Sequence, residues 1–302
     1  MEKPSQLSTP SNSIPKTEVN QSSSSENVTP PSSSRHFNIP LPLSIILIVL
    51  FLGGLLFAAW YFQTKIQKTN TLISEPNQST SVALPKKLIA GTDPTLQPME
   101  YTEDSKLLGY DIDLANLIAK ELGIEIEFKN IIFDNIFTAL DQQQIDMIIS
   151  AVTITPERQQ KYDFSEQYLN AGQVIITKKD DASIKSTADL KGKKIATQKG
   201  TTNEESAIKY TADNLVIRYP DFEQATKALV DGKADALFTD LPSAKGITVA
   251  NPTLKIASDP FTNEYYGIVF RKGDPVVKQI NQALESIRVK GFLTDLKQKW
   301  LD

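Results

Sequence analysis

One long stretch of the chain, residues 39–62, contains no charged side chain, and residues 45–52 within it are all apolar. A helix needs about 20 mostly apolar residues to cross the hydrocarbon core of a bilayer. Three aromatic residues end the stretch, at 60–62, where rings favour the membrane–water interface. The stretch therefore predicts a single transmembrane anchor over residues 39–62. The alternative is a cleaved signal peptide, which has a shorter apolar region and a small-residue cleavage site; Ala58 and Ala59 match such a site only weakly.

The segments on either side of this stretch differ in composition. Residues 1–38 are rich in Ser, Pro, Thr and Asn. Such a segment cannot bury enough apolar surface to offset its ordering entropy, which predicts a disordered cytoplasmic tail. Residues 63–85 are polar and contain two prolines, which predicts a linker to a globular domain over residues 86–302. One arginine before the span and two lysines after it slightly oppose this orientation. The globular domain is therefore assigned to the outer side of the membrane from its binding chemistry and not from these charges.

The absence of certain residue types excludes several classes of function. The chain has no cysteine, and its only histidine is His36. Disulfide bonds, thiol catalysis, a lipid-modified cysteine, a histidine-based triad and a multi-histidine zinc site are therefore excluded. The net charge of -4 argues against nucleic acid, which needs a basic face. We expect no cofactor, no metal ion and no catalytic residue.

Short apolar segments alternate with amphipathic segments along residues 86–302. This alternation is typical of open parallel sheets covered by helices, so the fold class is predicted to be α/β. Strands are predicted at 87–91, 124–128, 147–150, 194–197, 215–219 and 234–240. One helix is predicted to be capped by Asp111 and closed by Gly123, and further helices are predicted to begin at Asp134, Thr202, Phe222 and Pro275.

Ligands of open α/β sheets bind beyond the carboxyl ends of strands, near helix N-termini. The first place of this kind is segment 150–158, which follows an apolar strand. Thr155 can cap a helix whose first residue is Pro156, and Arg158 then lies in the first turn. A guanidinium presents paired donors that match the two oxygens of a carboxylate. The alternative is a well-capped helix with an arginine on its surface.

Two further places lie later in the chain. Segment 198–203 joins a strand to a helix; Gly200 permits close approach of a ligand, and Thr202 with Glu205 could form a capping box. Capped helices after glycine are common, so this pattern alone is weak. Asp240 ends an apolar strand, where a carboxylate is costly unless it is paired or solvated. It could accept from a ligand ammonium group or cap the following helix.

Together these groups suit a zwitterion. The α-carboxylate would contact Arg158 and the helix N-terminus near Thr153, and the α-ammonium would contact Asp240. Phe133 could cover the apolar part of the ligand. Alternatively, Phe133 is the hydrophobic staple of a helix that starts at Asp134.

Several segments, in this order and at this spacing, resemble the family 3 amino-acid-binding proteins of bacterial ABC importers. They are GTDPT at 91–95, GYDIDL at 109–114, SAVTITPER at 150–158 with DFS at 163–165, QKGTT at 198–202 and GKADALFTD at 232–240.

The resemblance implies a two-lobed type II periplasmic-binding-protein fold. Lobe 1 would comprise about 86–173 and 268–302, and lobe 2 about 174–267, with strands crossing near 172–177 and 266–271. It also implies roles for four residues: Arg158 as the carboxylate-binding arginine, Thr153 as its hydroxyl partner, Thr202 as an amide donor from lobe 2, and Asp240 as the ammonium acceptor. The full set of predicted ligand-binding residues is Asp93, Leu96, Phe133, Ser150, Ala151, Thr153, Arg158, Gln198, Thr202, Asn203 and Asp240.

The sequence departs from the family pattern at two positions of the expected side-chain pocket. Leu96 stands where the family usually has a stacking aromatic residue, and Met99 stands where it often has phenylalanine. Asp93 and Asp111 occupy positions that face basic ligand side chains in some relatives, which slightly favours a polar or basic ligand.

The predicted function is that of a membrane-anchored, extracytoplasmic, monomeric receptor. It would bind a small, polar or basic amino acid and deliver it to the permease of an ABC transporter. The alternatives are an enzyme similar to cyclohexadienyl dehydratase, which has the same fold, and a sensory ligand-binding ectodomain.

Overall fold

The computed structural model describes residues 41–73 and 84–302, which belong to two units divided between Gln78 and Ser79. The described part of the first unit is one helix, α1 (Leu41–Ile73). The large apolar side chains whose exposure is described, among them Phe51 and Leu56, are exposed. The stretch Ile48–Lys65 is long and apolar enough to cross a membrane.

Helix α1 is longer than the predicted span of residues 39–62. It continues through the first part of the predicted linker to Ile73, so that part is helical. The physical reason is that residues 63–73 contain no proline or glycine to end the helix. The predicted disordered tail, residues 1–38, and most of the remaining linker lie outside the described residues.

The second unit alternates strands and helices along the chain, as predicted. Its strands are β1 (Lys87–Thr92), β2 (Thr95–Leu96), β3 (Glu100–Glu103), β4 (Lys106–Leu108), β5 (Glu125–Asn130), β6 (Met147–Ile148), β7 (Tyr162–Phe164), β8 (Leu169–Asn170), β9 (Gln173–Lys178), β10 (Ile195–Gln198), β11 (Val216–Tyr219), β12 (Ala236–Asp240), β13 (Leu254–Ile256), β14 (Tyr265–Tyr266) and β15 (Val269–Arg271). Its helices are α2 (Tyr110–Leu122), α3 (Phe133–Asp141), α4 (Pro156–Lys161), α5 (Thr202–Tyr210), α6 (Phe222–Val230), α7 (Leu241–Ala250), α8 (Val276–Val289) and α9 (Phe292–Trp300).

Ten of these strands form two five-stranded mixed sheets, which define the two lobes, and β2, β3 and β4 form a separate small sheet. The sheet of lobe 1 has the order β5-β1-β6-β15-β7, and the sheet of lobe 2 has the order β11-β10-β12-β9-β13. In each sheet the β–α–β strands are parallel, and the strand that arrives from the other lobe, β15 or β9, pairs antiparallel. The chain passes between the lobes twice, and β8 and β14 of these two passages pair with each other.

Each sheet is covered by helices whose apolar side chains are buried. In lobe 1, Ile118 of α2 lies in the same fully buried cluster as Ile280 and Leu284 of α8. Gly123 closes α2 in a left-handed conformation, as predicted. Asp111, predicted to cap this helix, instead lies inside its first turn and is fully buried, and the cap position is Gly109.

Candidate functional site

The eleven predicted ligand-binding residues line one cavity between the two lobes. Lobe 1 contributes the residues that follow β1 and β6 and the starts of α3 and α4. Lobe 2 contributes the end of β10, the start of α5 and the end of β12. The carboxyl ends of parallel strands meet at one edge of each sheet. The two such edges face each other across the cavity.

The guanidinium of Arg158 is held at the start of α4. Thr155 caps this helix by accepting from the Arg158 amide at 3.2 Å, as predicted. The side chain lies over the rings of Phe133 and Phe137, at 5.8 and 5.2 Å from their centroids. It donates to the carbonyl of Thr153 at 2.9 Å and, across the lobes, to that of Gly200 at 3.3 Å.

No carboxylate within the described part of the chain forms a salt bridge with Arg158. Burial lowers the pKa of Arg158, and the more distant charges of Glu205, Glu264 and Asp240 oppose that effect. The guanidinium therefore lies in a partly buried site with only neutral acceptors, a place that favours an incoming anion.

Asp240 is the last residue of β12 and lies on the opposite wall, in lobe 2. It caps α7 only by position, because its side chain makes no capping hydrogen bond. One carboxylate oxygen, Oδ2, accepts from the hydroxyl of Tyr266 at 2.5 Å, and the other, Oδ1, is buried without a hydrogen-bond partner. Burial and then the charge of Glu264 raise the pKa of Asp240 to about 7, although the Tyr266 hydroxyl, the Asn203 amide and the charge of Arg158 act in the opposite direction. A buried carboxylate with an unused oxygen suits a ligand cation.

Asp93 joins several parts of the cavity wall. Its Oδ2 accepts from the Phe133 amide at 2.9 Å and from the side chain of Gln198, across the lobes, at 2.8 Å. Its own amide donates to the Ser150 hydroxyl at 3.0 Å. Burial raises the pKa of Asp93, and these hydrogen bonds partly oppose the rise.

Two predictions about local geometry are corrected by one residue each. Helix α3 begins at Phe133 itself, so Phe133 is not a staple that precedes a helix starting at Asp134. In α5 the cap is Thr201, which accepts from the Glu204 amide at 3.3 Å, rather than Thr202 with Glu205. Met99 is fully buried and does not line the cavity, whereas Leu96 does.

Sequence reasoning missed four residues of the site. Glu100, Thr201 and Phe222 also line the cavity. Glu264 is the fourth, because its Oε2 accepts from the hydroxyls of Thr153 at 3.0 Å and Thr202 at 3.1 Å. Thr201 was recoverable, since it precedes α5 and has a capping side chain.

Glu264 changes what the two threonines can offer a ligand. Thr153 belongs to lobe 1 and Thr202 to lobe 2, so the carboxylate of Glu264 links the lobes through their hydroxyls. Each hydroxyl has a single hydrogen. While both hydrogens are directed at Glu264, the threonine oxygens can only accept, and the Thr202 amide at the start of α5 remains the donor from lobe 2.

A salt bridge closes the rim of the cavity. Lys199 of lobe 2 lies 2.8 Å from Asp134 of lobe 1, and both side chains are partly exposed to solvent. Next to it, Gly200 has a φ of 80°, in the left-handed region, and a β-carbon added there would lie 3.4 Å from the Asp134 side chain. The backbone of a residue with a β-carbon would therefore be strained at this position, although the space for the β-carbon itself is sufficient.

Comparison with known proteins places this architecture among binding proteins. The arginine-binding extracellular protein ArtP of Bacillus subtilis is 35% identical over 222 residues, covering 71% of this chain and 86% of that protein. Other relatives are named as binding proteins for L-cystine, histidine and glutamine.

Solved structures of amino-acid-binding proteins are also similar to this chain. An ancestral arginine-binding protein bound to arginine is 40% identical with a TM-score of 0.70, covering 73% of this chain and 100% of that one. An ancestral amino-acid-binding protein described as a precursor of cyclohexadienyl dehydratase is 37% identical with a TM-score of 0.66, covering 72% and 96%. The model of the bacterial extracellular solute-binding proteins, family 3, matches residues 88–302. The chain belongs to this family.

Proposed function

We propose that residues 84–302 form an extracytoplasmic receptor that binds an amino acid with a cationic side chain and delivers it, as a monomer, to the permease of an ABC importer. The observation that carries the proposal is the pair of charges on opposite walls. Arg158 has no carboxylate partner among residues 41–73 and 84–302, and Asp240 has an unused buried oxygen. These two groups are complementary to the α-carboxylate and α-ammonium groups that every free amino acid presents at neutral pH.

The charge of the remaining wall supports a cationic side chain. Besides Asp240, the cavity is lined by the carboxyl groups of Asp93 and Glu100, and Arg158 is its only cationic lining residue among those described. Once a ligand's backbone charges are matched by Arg158 and Asp240, an excess of acid remains. A guanidinium or ammonium on the ligand would compensate it. The arginine-binding relatives support the same choice.

A binding screen tests the proposed function. Residues 79–302 are a compact unit, and a complete solved chain of the same fold covers this part, so the domain can be produced alone. We expect arginine or lysine to give the largest rise in melting temperature among the twenty amino acids. A ligand at 100 times its dissociation constant stabilises by about 2.7 kcal/mol. If none of the twenty shifts the melting temperature, the proposed function is wrong.

We propose binding without turnover. The relatives are named as binding proteins, but the kinship with a dehydratase precursor makes a direct test worthwhile. Arginine held with the domain for a day is expected to be recovered unchanged by chromatography. Formation of a new product at a rate proportional to protein concentration would favour the enzyme alternative.

The rim salt bridge provides a prediction about closure. Replacing Lys199 with alanine is expected to weaken arginine binding by no more than roughly fivefold, because exposed ion pairs contribute little. The loss is expected at low ionic strength and should vanish in 1 M salt, where the Debye length is about 3 Å. Lys87→Ala is the matched control, since Lys87 pairs with Glu127 at 2.6 Å within lobe 1. Equal losses in both variants would mean that the rim pair has no role in closure.

We also propose that α1 anchors the domain in the membrane, with residues 1–38 in the cytoplasm. The supporting observation is the long apolar helix with exposed side chains. Protease added to intact cells is expected to remove residues 84–302 while a tag on the tail stays protected. The domain should remain in the membrane pellet after carbonate extraction. Recovery of a soluble domain whose first residue lies after Ala59 would identify a cleaved signal peptide instead.

A further inference from the structure

Phe222 borders two separate spaces between the lobes. It lines the ligand cavity, and it also lines a second groove of about 440 Å³ to which both lobes contribute residues. Of the described residues that line these spaces, only Phe222 lines both. The proposed function gives this side chain no role so far. A side chain shared by two neighbouring spaces belongs to the wall that separates them.

The small sheet of lobe 1 forms the other part of this wall. Its strands β2 and β3 pair Leu96 with Glu100 and Thr95 with Tyr101. Successive pairs in an antiparallel sheet direct their side chains to opposite faces. Accordingly, Leu96 and Glu100 line the cavity, whereas Thr95 and Tyr101 line the groove. The small sheet therefore has the cavity on one face and the groove on the other.

Phe222 completes the wall from lobe 2. It is the first residue of α6, and α6 packs against β2 across the boundary between the lobes. Only 4% of Phe222 is exposed, and its side chain lies in the same buried cluster as that of Leu96. The aromatic ring therefore closes the space between the small sheet and α6, and it keeps the cavity separate from the groove.

The backbone that carries this ring is fixed on its N-terminal side. Asp221 caps α6 and accepts from an amide of the first turn at 2.7 Å. The carbonyl of Pro220 accepts from the side chain of Gln198 at 3.1 Å, and the same amide group donates to Asp93 of lobe 1 at 2.8 Å. Because the helix start is held by these bonds, a ligand cannot move the ring aside without breaking contacts between the lobes.

We propose that Phe222 is the end wall of the side-chain pocket and sets the maximum length of the amino acid that the receptor accepts. This inference rests on the proposed function. With the ligand's backbone charges at Arg158 and Asp240, the apolar side chains of Leu96 and Phe222 are left to contact the ligand's side chain. A substituent beyond the guanidinium of arginine would overlap the ring. Overpacking of a buried contact lowers affinity by roughly 5- to 150-fold.

The test compares arginine with Nω-propyl-arginine, which keeps both backbone charges and the cationic guanidinium and adds three carbon atoms at its far end. Calorimetric titrations of residues 79–302 measure the two dissociation constants, and their ratio is the quantity compared. A general loss of lobe closure changes both constants and leaves their ratio unaltered. In the wild type we expect Nω-propyl-arginine to bind at least about tenfold more weakly than arginine.

Variants on one helix separate the role of Phe222 from a general effect on α6. Phe222→Ala is expected to bring the two dissociation constants to within about threefold of each other, because the propyl group can then extend into the groove. Phe222→Leu is expected to give an intermediate ratio. Thr226→Ala is the matched control, one turn further along α6. Thr226 lines the groove but not the cavity, so we expect the wild-type ratio.

The outcomes distinguish the inference from the function on which it rests. Equal affinities for the two ligands in the wild type, or a ratio that neither Phe222 variant changes, would overturn the inference and leave an amino-acid receptor. Failure of arginine to bind the wild type would overturn the proposed function and the inference with it. If circular dichroism shows that Phe222→Ala does not fold, the ratios for the wild type and Phe222→Leu decide the matter.

Discussion

Replacing Arg158 with alanine is expected to reduce the affinity for arginine by about 2–5 kcal/mol, or roughly 30- to 5,000-fold. The variant leaves the ligand's α-carboxylate in a desolvated cavity without its cationic partner. It also removes the hydrogen bond to the Gly200 carbonyl, which links the lobes, and the contacts with the rings of Phe133 and Phe137. All three losses are expected to weaken ligand binding.

Arg158→Lys is expected to restore little of this affinity. An ammonium is a point charge and cannot present the two parallel donors that match a carboxylate. Calorimetry on residues 79–302 measures both variants, with circular dichroism as the folding control. Arg288→Ala serves as the matched control, because Arg288 is a surface arginine paired with Glu285 at 2.5 Å. Wild-type affinity in Arg158→Ala would show that the α-carboxylate is bound elsewhere.

The part of the site that could be predicted lies where a strand ends or a helix begins. Thr153 and Arg158 follow β6, Gln198 and Thr202 surround the start of α5, and Asp240 ends β12. Strands and caps have local patterns, and the sheet topology then brings their ends together. The single-residue shifts at Phe133 and Thr201 reflect the weak dependence of sequence pattern on the exact helix start.

Glu100 and Glu264 could not be predicted in this way. Glu264 lies between β13 and β14 and contacts Thr153 and Thr202, which are distant in sequence. Glu100 lies on β3, a short strand of the small sheet formed by β2, β3 and β4, and neither a strand end nor a helix cap marks it in the sequence. The burial of these two carboxyl groups, and the groups that surround them, depend on packing between segments that are distant in the sequence. Composition and periodicity carry no information about such packing. The extension of α1 to Ile73 has a different origin, because a polar composition alone does not end a helix.

Replacing Asp240 with asparagine is expected to weaken the binding of every amino acid by about 2–5 kcal/mol, roughly 30- to 5,000-fold. The amide keeps the shape and can still accept from the Tyr266 hydroxyl, but it cannot neutralise the α-ammonium. The pH dependence should change as well. Since the pKa of Asp240 in the free domain is about 7, the ionised form that binds an ammonium becomes more populated between pH 6 and 8. The affinity for citrulline, an amino acid with a neutral urea side chain, is therefore expected to rise over this pH range in the wild type. In Asp240→Asn the same affinity is expected not to change with pH.

The same substitution is expected to stabilise the ligand-free domain. A carboxyl group whose pKa is raised on folding favours the folded state below its unfolded pKa, near 3.8, and that contribution is lost as the pH rises to about 7. At pH 8 the wild type must keep a buried negative charge that asparagine lacks, so Asp240→Asn should melt at a higher temperature. Asp231→Asn is the matched control, for which the opposite change in melting temperature is expected. A hydrogen bond from Lys227 lowers the pKa of Asp231, so the charge of Asp231 favours the folded state. A lower melting temperature for Asp240→Asn at pH 8, or retained affinity for citrulline, would mean that the ionised carboxylate is not held ready for a ligand cation.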